Sequence, residues 1–268
     1  MSDEELRIGN LFGGDAGGGL FDIPRRDPGD VDGADVVVMG AATATPYESV
    51  GAYCADGPAA IRAAVGWPGM GAHYDFDLDG PLLGGGHAVD WGDLPIGDDL
   101  AENRSTIRRH VKTVLEGGAV PVLLGGDDSI PIPALSAFME HGPIVILQLD
   151  AHIDWRDEVQ GERMGLSSNM RRASEMAWVD HIVQVGARGS GSARTIDVQD
   201  AHRWGVDFFP MRFVRRDGLQ PVVDAIPEGS SVYVALDIDA LDPSVVPGVI
   251  GPAPGGFDAG SCITISNQ

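Results

Sequence analysis

The chain reads Ile-Val-Ile-Leu-Gln-Leu-Asp-Ala-His-Ile-Asp from Ile144 to Asp154, directly after Pro143. The first six residues are apolar apart from one glutamine and rich in β-branched side chains, which is typical of a strand buried on both faces. Asp150, His152 and Asp154 then follow at every second position. If the backbone stays extended there, the three side chains point to one side, with Cα atoms roughly 6.5–7 Å apart. That spacing lets them converge on one or two ions.

The residue types in this motif suit a hard or borderline divalent metal, because they combine carboxylates with a single imidazole and no thiol. The alternative is a polar strand end whose aspartates cap a following helix. This stretch alone leaves both interpretations open.

Strand and helix patterns alternate along the rest of the chain. Further strands are predicted at 34–40, 88–93, 120–124, 181–186, 206–209 and 231–236. Helices are predicted at 57–65, 98–116, 131–141 and in the second half of 164–176. This alternation predicts an α/β fold with a mostly parallel sheet covered by helices on both faces.

The domain organisation follows from the distribution of these elements. Residues 1–33 are rich in Gly and Asp without a period, and we expect an irregular N-terminal arm that a neighbouring subunit could order. Within the arm, residues 21–26 could dock locally. No repeat or linker interrupts the remainder, so residues 34–268 are predicted to form a single α/β domain.

Composition narrows the class of partner. The chain has 268 residues and a formal net charge of −22 at pH 7. Such a surface repels nucleic acids and anionic membranes and attracts metal ions or small cations, although adaptation for solubility or salt explains the charge equally well. Cys54 and Cys262 are far apart, which fits a reducing compartment without a disulfide framework. With no membrane-length apolar run and no signal pattern, a cytoplasmic protein is expected.

Three predicted strands end in acidic residues. The ends carry Asp127 and Asp128; Asp150, His152 and Asp154; and Asp237 and Asp239. Because the carboxyl ends of parallel strands lie at one edge of a sheet, these side chains can meet. Clustered carboxylates stay ionised only if cations neutralise them, so a binuclear divalent site that activates water is indicated.

The motifs at these strand ends are together specific to one family. They read Gly-Gly-Asp-Asp-Ser at 125–129, Asp-Ala-His-Ile-Asp at 150–154 and Asp-Ile-Asp-Ala-Leu-Asp-Pro at 237–243. In this order they resemble the signatures of the ureohydrolases, the family of arginase and agmatinase. Gly-Pro-Ala-Ala-Ile-Arg at 57–62 and Tyr-Asp-Phe-Asp at 74–77 resemble agmatinase in particular. The resemblance extends from about residue 34 to 256.

The resemblance implies a three-layer α/β/α, arginase-like fold with two Mn²⁺ ions. A hydroxide bridging the ions would attack the carbon of a small cationic guanidino compound, agmatine-like, and release urea. The implied metal ligands are Asp128, Asp150, His152, Asp154, Asp237 and Asp239. Asp154 would also be catalytic, holding the hydroxide in line. Asp242 would hydrogen-bond rather than ligate, or stabilise the turn before Pro243. Family members are trimers or hexamers, so a homo-oligomer is expected.

Three features depart from the family pattern. Asp128 replaces the histidine of the turn, which adds a negative charge and should favour Mn²⁺ or Mg²⁺ over Zn²⁺. Met164 stands where the family has a proton-moving histidine, and methionine carries no proton. The sequence also ends before the family's last helix and strand; residues 263–268 could form a substitute strand, or the product could be truncated.

These departures leave two classes of function open. The first is a metal-dependent hydrolase of a guanidino compound, favoured because buried acids are costly to keep without a role. The second is a non-catalytic metal-binding or assembly member of the family, favoured by Met164 and the early end of the chain. Hydrolysis of a formimino or other C–N substrate at the same centre is a third possibility.

Overall fold

The computed structural model describes residues 20–66, 71, 73–82 and 84–260. The expected strand at 263–268 and residues 1–19 of the arm lie outside this part of the chain. The chain divides into two compact units, Met1–Ile130 and Pro131–Gln268. The single domain over 34–268 and the arm at 1–33 stay predictions.

The first unit is built on a three-stranded parallel sheet. Its elements are β1 (Val36–Ala41), α1 (Gly57–Val65), β2 (Tyr74–Asp75), β3 (Gly80–Pro81), β4 (Ala88–Asp93), α2 (Leu100–Glu116) and β5 (Val120–Gly125). The central strand is β1, which pairs in parallel with β4 on one side and β5 on the other. Its apolar residues are almost all buried, as expected for a strand covered on both faces. Separately, β2 and β3 form a small antiparallel pair.

Helix α2 is fixed at its start by a side-chain cap and along its length by an apolar face. The Asp99 carboxylate accepts hydrogen bonds from the backbone N–H groups of Ala101 and Glu102. Those N–H groups have no partner within the helix, so the cap stabilises its first turn. Ile107 and Val111, four residues apart, are buried on one face.

An ion network explains the Arg62 of the Gly-Pro-Ala-Ala-Ile-Arg motif. Arg62 donates from Nε and Nη2 to the two carboxylate oxygens of Asp90 at 2.8 and 3.0 Å, and also bonds to Asp93. Arg25 lies 2.9 Å from the same Asp90 carboxylate, which is fully buried. Burial alone would raise the pKa of Asp90, but the hydrogen bonds from Arg62 hold it below the usual value. The motif therefore joins α1 to β4.

The described part of the N-terminal arm docks within the first unit. Leu20 and Ile23 are buried against Val38 of β1. The backbone continues the contact, because Asp90 N–H donates to the Pro24 carbonyl and Arg26 N–H donates to the Asp90 carbonyl. Local docking of residues 21–26 is thus confirmed.

The second unit carries a four-stranded parallel sheet in the order β8-β7-β6-β9. Its elements are α3 (Pro131–Ser136), β6 (Ile144–Leu149), α4 (Asn169–Ala173), β7 (Val179–Val185), α5 (Thr195–Trp204), β8 (Asp207–Phe209), α6 (Met211–Asp217), α7 (Gln220–Asp224) and β9 (Ser231–Leu236). Short 3-10 turns lie at Ala137–Glu140, Leu166–Ser168 and Ile238–Ala240. No helix in the described residues is long and apolar enough to cross a membrane.

Strand β6 is buried along its whole length and separates two hydrophobic clusters. Ile144 and Ile146 belong to one cluster, with Met170 of α4. Leu147 and Leu149 belong to the other, with Met211 of α6. Alternation along the strand therefore supplies both faces of the core, as in sheets covered on both sides.

Strand β9 is covered on one face only within the second unit. Tyr233 and Ala235 pack into the cluster around Ile146. The alternate residues Val232, Val234 and Leu236 are 41%, 50% and 53% exposed. The sheet therefore presents an apolar face along β9, at its edge.

The predicted strands and the α/β class with parallel sheets are confirmed. The helix predicted at 131–141 is shorter, because α3 ends at Ser136 and a 3-10 turn follows. Helices α5, α6 and α7 and the β2–β3 pair were not predicted. Helices α6 and α7 span only 7 and 5 residues, which is too short for a 3.6-residue period to stand out.

The high negative charge leads to a prediction about salt. At pH 7 the formal charge of −22 should repel itself in the folded state. Raising KCl from 0.1 to 1 M shortens the Debye length from about 10 to about 3 Å, so the melting temperature of the metal-free protein should rise. Thermal unfolding followed by circular dichroism checks this, with the control at pH 4.4, the sequence pI, where the rise should shrink. A melting temperature that salt leaves unchanged at pH 7 would contradict it.

Candidate metal centre

The site begins where the ladder of the second sheet ends. Asp150 N–H donates to the Val185 carbonyl at 3.0 Å, and Asp237 N–H donates to the Leu149 carbonyl at 3.0 Å. These bonds keep the residues after β6 beside the ends of β7 and β9. The sequence at each strand end therefore determines which side chains meet there, as expected for parallel strands.

Asp150, His152 and Asp239 are brought together at this edge. His152 Nδ1 lies 2.9 Å from Asp239 Oδ2 and 3.4 Å from Asp150 Oδ1. The backbone reinforces the pairing, because Ala151 N–H donates to Asp239 Oδ1 at 3.0 Å. Both aspartates are buried, while the His152 side chain is 29% exposed. The three groups form a compact cluster with one side towards solvent.

Asp237 and Asp239 share a turn after β9. The Asp237 carboxylate accepts the N–H of Asp239 at 2.8 Å and caps the 3-10 turn Ile238–Ala240. The capping role that the sequence left open for each aspartate thus applies to Asp237. Its second carboxylate oxygen is not needed for this cap, so capping and ion binding are compatible at this residue.

The titratable groups in this cluster shift one another's pKa values. Burial, followed by the charge of Asp154, raises the pKa of Asp150 well above its ordinary value. Burial, with the charges of Asp150 and Asp239, raises the pKa of Asp237 to about 8. Hydrogen bonds to Asp150 and Asp239 raise the pKa of His152 to about 11. Without an ion, the cluster holds protons at neutral pH.

Asp154 has an unusual backbone. Its φ of 46° lies in the left-handed region, which is costly for a residue with a Cβ atom. Its carbonyl accepts Arg171 N–H at 3.2 Å, and its Oδ2 accepts from Asn169 Nδ2 at 3.3 Å. These contacts with the start of α4 hold the strained residue in place. Such strain is concentrated at functional sites, which agrees with a role for Asp154.

Asp128 belongs to the first unit, where it follows β5 and is half-buried. The turn before it is tightly packed: a Cβ atom on Gly126 would lie 1.7 Å from the Ala42 carbonyl oxygen. Gly126 N–H also donates to the Ala41 carbonyl at 3.0 Å. Only glycine lets the turn approach the end of β1 this closely.

The Asp127 carboxylate is engaged within its own turn. Its carboxylate accepts hydrogen bonds from Thr43 Oγ1 and from the N–H and Oγ of Ser129. The Ser129 hydroxyl in turn accepts the Thr45 N–H at 2.7 Å. Asp127 therefore shapes the turn. The strand-end pattern grouped it with Asp128, and the family resemblance alone named Asp128, not Asp127, as an expected ligand.

Asp242 is used as a turn former. Its Oδ1 accepts from Ser244 N and Oγ at 3.0 and 2.7 Å, and its Oδ2 accepts the N–H groups of Gly255 and Gly256 at 2.6 and 3.2 Å. The bonds from Ser244, followed by that from Gly255, hold the pKa of Asp242 well below its usual range. Of the two roles considered for Asp242, these contacts match stabilisation of the turn before Pro243.

The donor set fits a divalent ion. Ligand atoms of Asp150, His152 and Asp239 all lie within 4.8 Å of one another. Oxygen donors with one imidazole suit Mn²⁺ and related ions. The role of each of the six predicted ligands stays a prediction. Sequence reasoning missed two buried glutamines: Gln148, which donates to Asp150, and Gln184, which donates to Gln148.

Comparison with known proteins agrees with this fold. Residues 34–268 match the family model described as Arginase family. Proclavaminate amidinohydrolase of Streptomyces clavuligerus is 33% identical over 240 residues, covering 84% of this chain and 72% of the relative. Its solved structure gives a TM-score of 0.79 at 28% identity over 92% of this chain and 82% of that one.

Other relatives match over a shorter range. Mitochondrial arginase 1 of Arabidopsis thaliana is 34% identical over 63% of this chain and 52% of its own length. Guanidinobutyrase of Pseudomonas aeruginosa is 31% identical over 64% of this chain and 56% of its own length. The chain thus spans about half the length of the plant arginases it matches.

The fold and the cluster define a mixed α/β protein of the arginase-like fold with an acidic metal-type site. The chain belongs to the Arginase family. The resemblance inferred from the three motifs and the predicted fold class are both confirmed.

The protonated state of the cluster leads to a prediction about metal binding. A ligating imidazole must be neutral, whereas His152, with a pKa of about 11, is protonated at pH 7. Asp237, with a pKa of about 8, is also mostly protonated there. The pKa of Asp150 is raised as well, so binding of Mn²⁺ at pH 7 should release protons from this cluster. Calorimetry in buffers of different ionisation enthalpy measures the number, and a heat independent of the buffer would contradict it.

Proposed function

We propose that the protein is a metal-dependent hydrolase that cleaves the guanidinium C–N bond of a small guanidino compound and releases urea. The observation that carries the proposal is the close approach of Asp150, His152 and Asp239 in a chain of the Arginase family. Two Mn²⁺ ions would be held by Asp128, Asp150, His152, Asp154, Asp237 and Asp239.

The chain's own residues would contribute charge and proton transfer. When bound, divalent ions supply Lewis acidity and lower the pKa of water. Asp154, held by Asn169 and the start of α4, would orient the attacking water and accept its proton. That proton would then pass to the amine nitrogen, which leaves as the C–N bond breaks. The neighbouring carboxylates would attract the guanidinium cation and orient its carbon towards the attacking water.

The proposed substrate is a cation of the agmatine type. A net charge of −22 favours encounter with cations over encounter with anions. The similarity to guanidinobutyrase of Pseudomonas aeruginosa supports a guanidino group on a short chain. Both considerations support a guanidinium group in the substrate. The assay below distinguishes the chains to which that group can be attached.

A urea-release assay tests this function directly. The protein, freed of metal with a chelator and reloaded with Mn²⁺, would be assayed with agmatine, arginine, 4-guanidinobutyrate and guanidine. Release from agmatine that depends on Mn²⁺ is expected, and the chelated protein is the control. Urea from arginine alone would reject the agmatine-type substrate but keep the class of reaction.

A second function is favoured by one observation. Met164 carries no proton, and its N–H is bonded to Glu162 Oε1 at 2.7 Å. A member of the family that binds metal without turnover would show no urea with any of the four compounds while Mn²⁺ still raised its melting temperature. That combined result would reject the hydrolase and support the non-catalytic protein.

We also propose a homo-oligomer, trimer or hexamer, in the cytoplasm. Light scattering after size-exclusion chromatography gives the mass of the particle directly. A mass equal to the 28.1 kDa of one chain would contradict the proposed assembly.

A further inference from the structure

Two buried glutamines lie side by side in the middle of the second sheet. Gln148 of β6 and Gln184 of β7 are partners in the strand register. Each side chain is 1% exposed, and the other residues of β6 are all apolar. Burying an amide is unfavourable unless it is hydrogen-bonded, so the partners of these two groups matter.

The backbone fixes the orientation of the first amide. Gln184 Nε2 donates to the Ile153 carbonyl at 2.9 Å and to Gln148 Oε1. A carbonyl can only accept, so the NH₂ end of Gln184 must face Ile153. The oxygen of Gln148 is then engaged by Gln184, and its NH₂ group must point away.

The second amide reaches two acids of the proposed site. Gln148 Nε2 donates to Asp150 Oδ2 at 2.7 Å and is 3.3 Å from Asp154 Oδ2. Its NH₂ group thereby contacts the carboxyl groups of both acids. A reversed amide would place its oxygen against both acids, which is unfavourable. We name Gln148 and Gln184 together the amide relay.

The relay carries a cost that a purely structural pair would avoid. Gln184 Oε1 is buried and has no hydrogen-bond partner among the described residues. An unsatisfied buried oxygen destabilises a fold, and apolar side chains would fill this place better. Keeping a polar Gln184 at this place despite that cost is consistent with its hydrogen bond to Gln148.

We propose that Gln148 is a positioning residue that sets the carboxylates of Asp150 and Asp154 in one orientation before a divalent ion binds, and that Gln184 acts through it. The inference rests on the proposed function, because the two acids are proposed ligands there. The relay fixes two adjacent carboxyl groups with neutral donors, so less reorganisation is needed when the ion arrives.

Substitution by methionine removes the amides at nearly constant volume. Mn²⁺ affinity of the full chain, measured by calorimetry, should fall about 10- to 100-fold in Gln148→Met, and in the same direction in Gln184→Met. The double variant should bind no more weakly than Gln148→Met, because Gln184 acts only through Gln148. The matched control is Leu147→Met, in the same strand, which keeps both amides.

The visible absorption spectrum of bound Co²⁺ reports on the arrangement of its ligands, which a loss of packing elsewhere does not change. The spectrum should change in Gln148→Met and stay unchanged in Leu147→Met. If Gln148→Met does not fold, Gln148→Asn keeps a buried amide one methylene too short and should show the same loss. Wild-type affinity and spectrum in the relay variants, or additive losses in the double variant, would overturn the relay. A folded wild-type protein that binds neither ion would instead overturn the proposed metal centre.

Discussion

Replacing Asp150 with asparagine should abolish Mn²⁺-dependent urea release, by at least about 100-fold, while the metal-free protein remains folded. The carboxylate is buried beside the charges of Asp154 and Asp239, so its charge is unfavourable without an ion. Asparagine removes that charge at the same size but cannot supply an anionic ligand. Activity and melting temperature, each measured with and without Mn²⁺, separate the two effects.

The melting temperatures test directly whether Asp150 binds the ion. An ion at 100 times its dissociation constant stabilises the folded protein by about 2.7 kcal/mol, and Asp150→Asn should lose most of that gain. Asp157→Asn is the matched control, because this exposed acid lies in the same loop and pairs with Arg163 and Arg172. It should keep both activity and metal stabilisation. An Asp150→Asn protein that is still stabilised by Mn²⁺ would exclude residue 150 as a ligand.

Replacing Arg62 with methionine should lower the free energy of unfolding by about 3–5 kcal/mol, because it leaves the buried Asp90 carboxylate without its main partner. Arg62 is 12% exposed, and it is bonded to both oxygens of Asp90. Arg25 remains, but its side chain is 56% exposed and gives a single contact. Urea denaturation followed by circular dichroism measures the loss.

Two further variants distinguish this ion pair from surface charge. Arg203→Met removes an exposed partner of Asp200 and should cost less than about 1 kcal/mol. Adding Asp90→Asn to Arg62→Met removes the unpaired buried carboxylate and should recover part of the lost free energy of unfolding. The pH dependence has a definite sign. Because Arg62 holds the pKa of Asp90 below its usual value, the stabilisation is present above the unfolded pKa and is lost as pH falls through the folded pKa. Equal losses in Arg62→Met and Arg203→Met would contradict the assignment.

The fold was readable from the sequence where strands are long and apolar. Residues 144–149 carry one polar side chain in six, and a run this short, rich in β-branched residues and preceded by Pro143, is typical of a buried strand. The short helices α6 and α7 were not predicted, because they end before a helical period of hydrophobic residues can be recognised. Their positions depend on packing against β6 and β7, which is tertiary information.

For the candidate site, the sequence predicted which residue types come together but not the hydrogen bonds between them. The motif spacing indicated that Asp150, His152 and Asp239 could meet, and they do. It could not separate Asp127 from Asp128, because hydrogen bonds from Thr43 and Ser129 decide which acid is engaged. The relay was also invisible, since the orientation of Gln184 depends on a backbone carbonyl that only the folded chain places beside it.

The contact between Gly126 and Ala42 has a consequence for how such sites diversify. Main chain packs on main chain there, so the path of the turn is constrained two residues before Asp128. Any side chain added at Gly126 would push the turn away from the end of β1. Residue 128, a proposed ligand, would be displaced with it, so a substitution that adds no charge and removes none could still disturb the proposed metal centre.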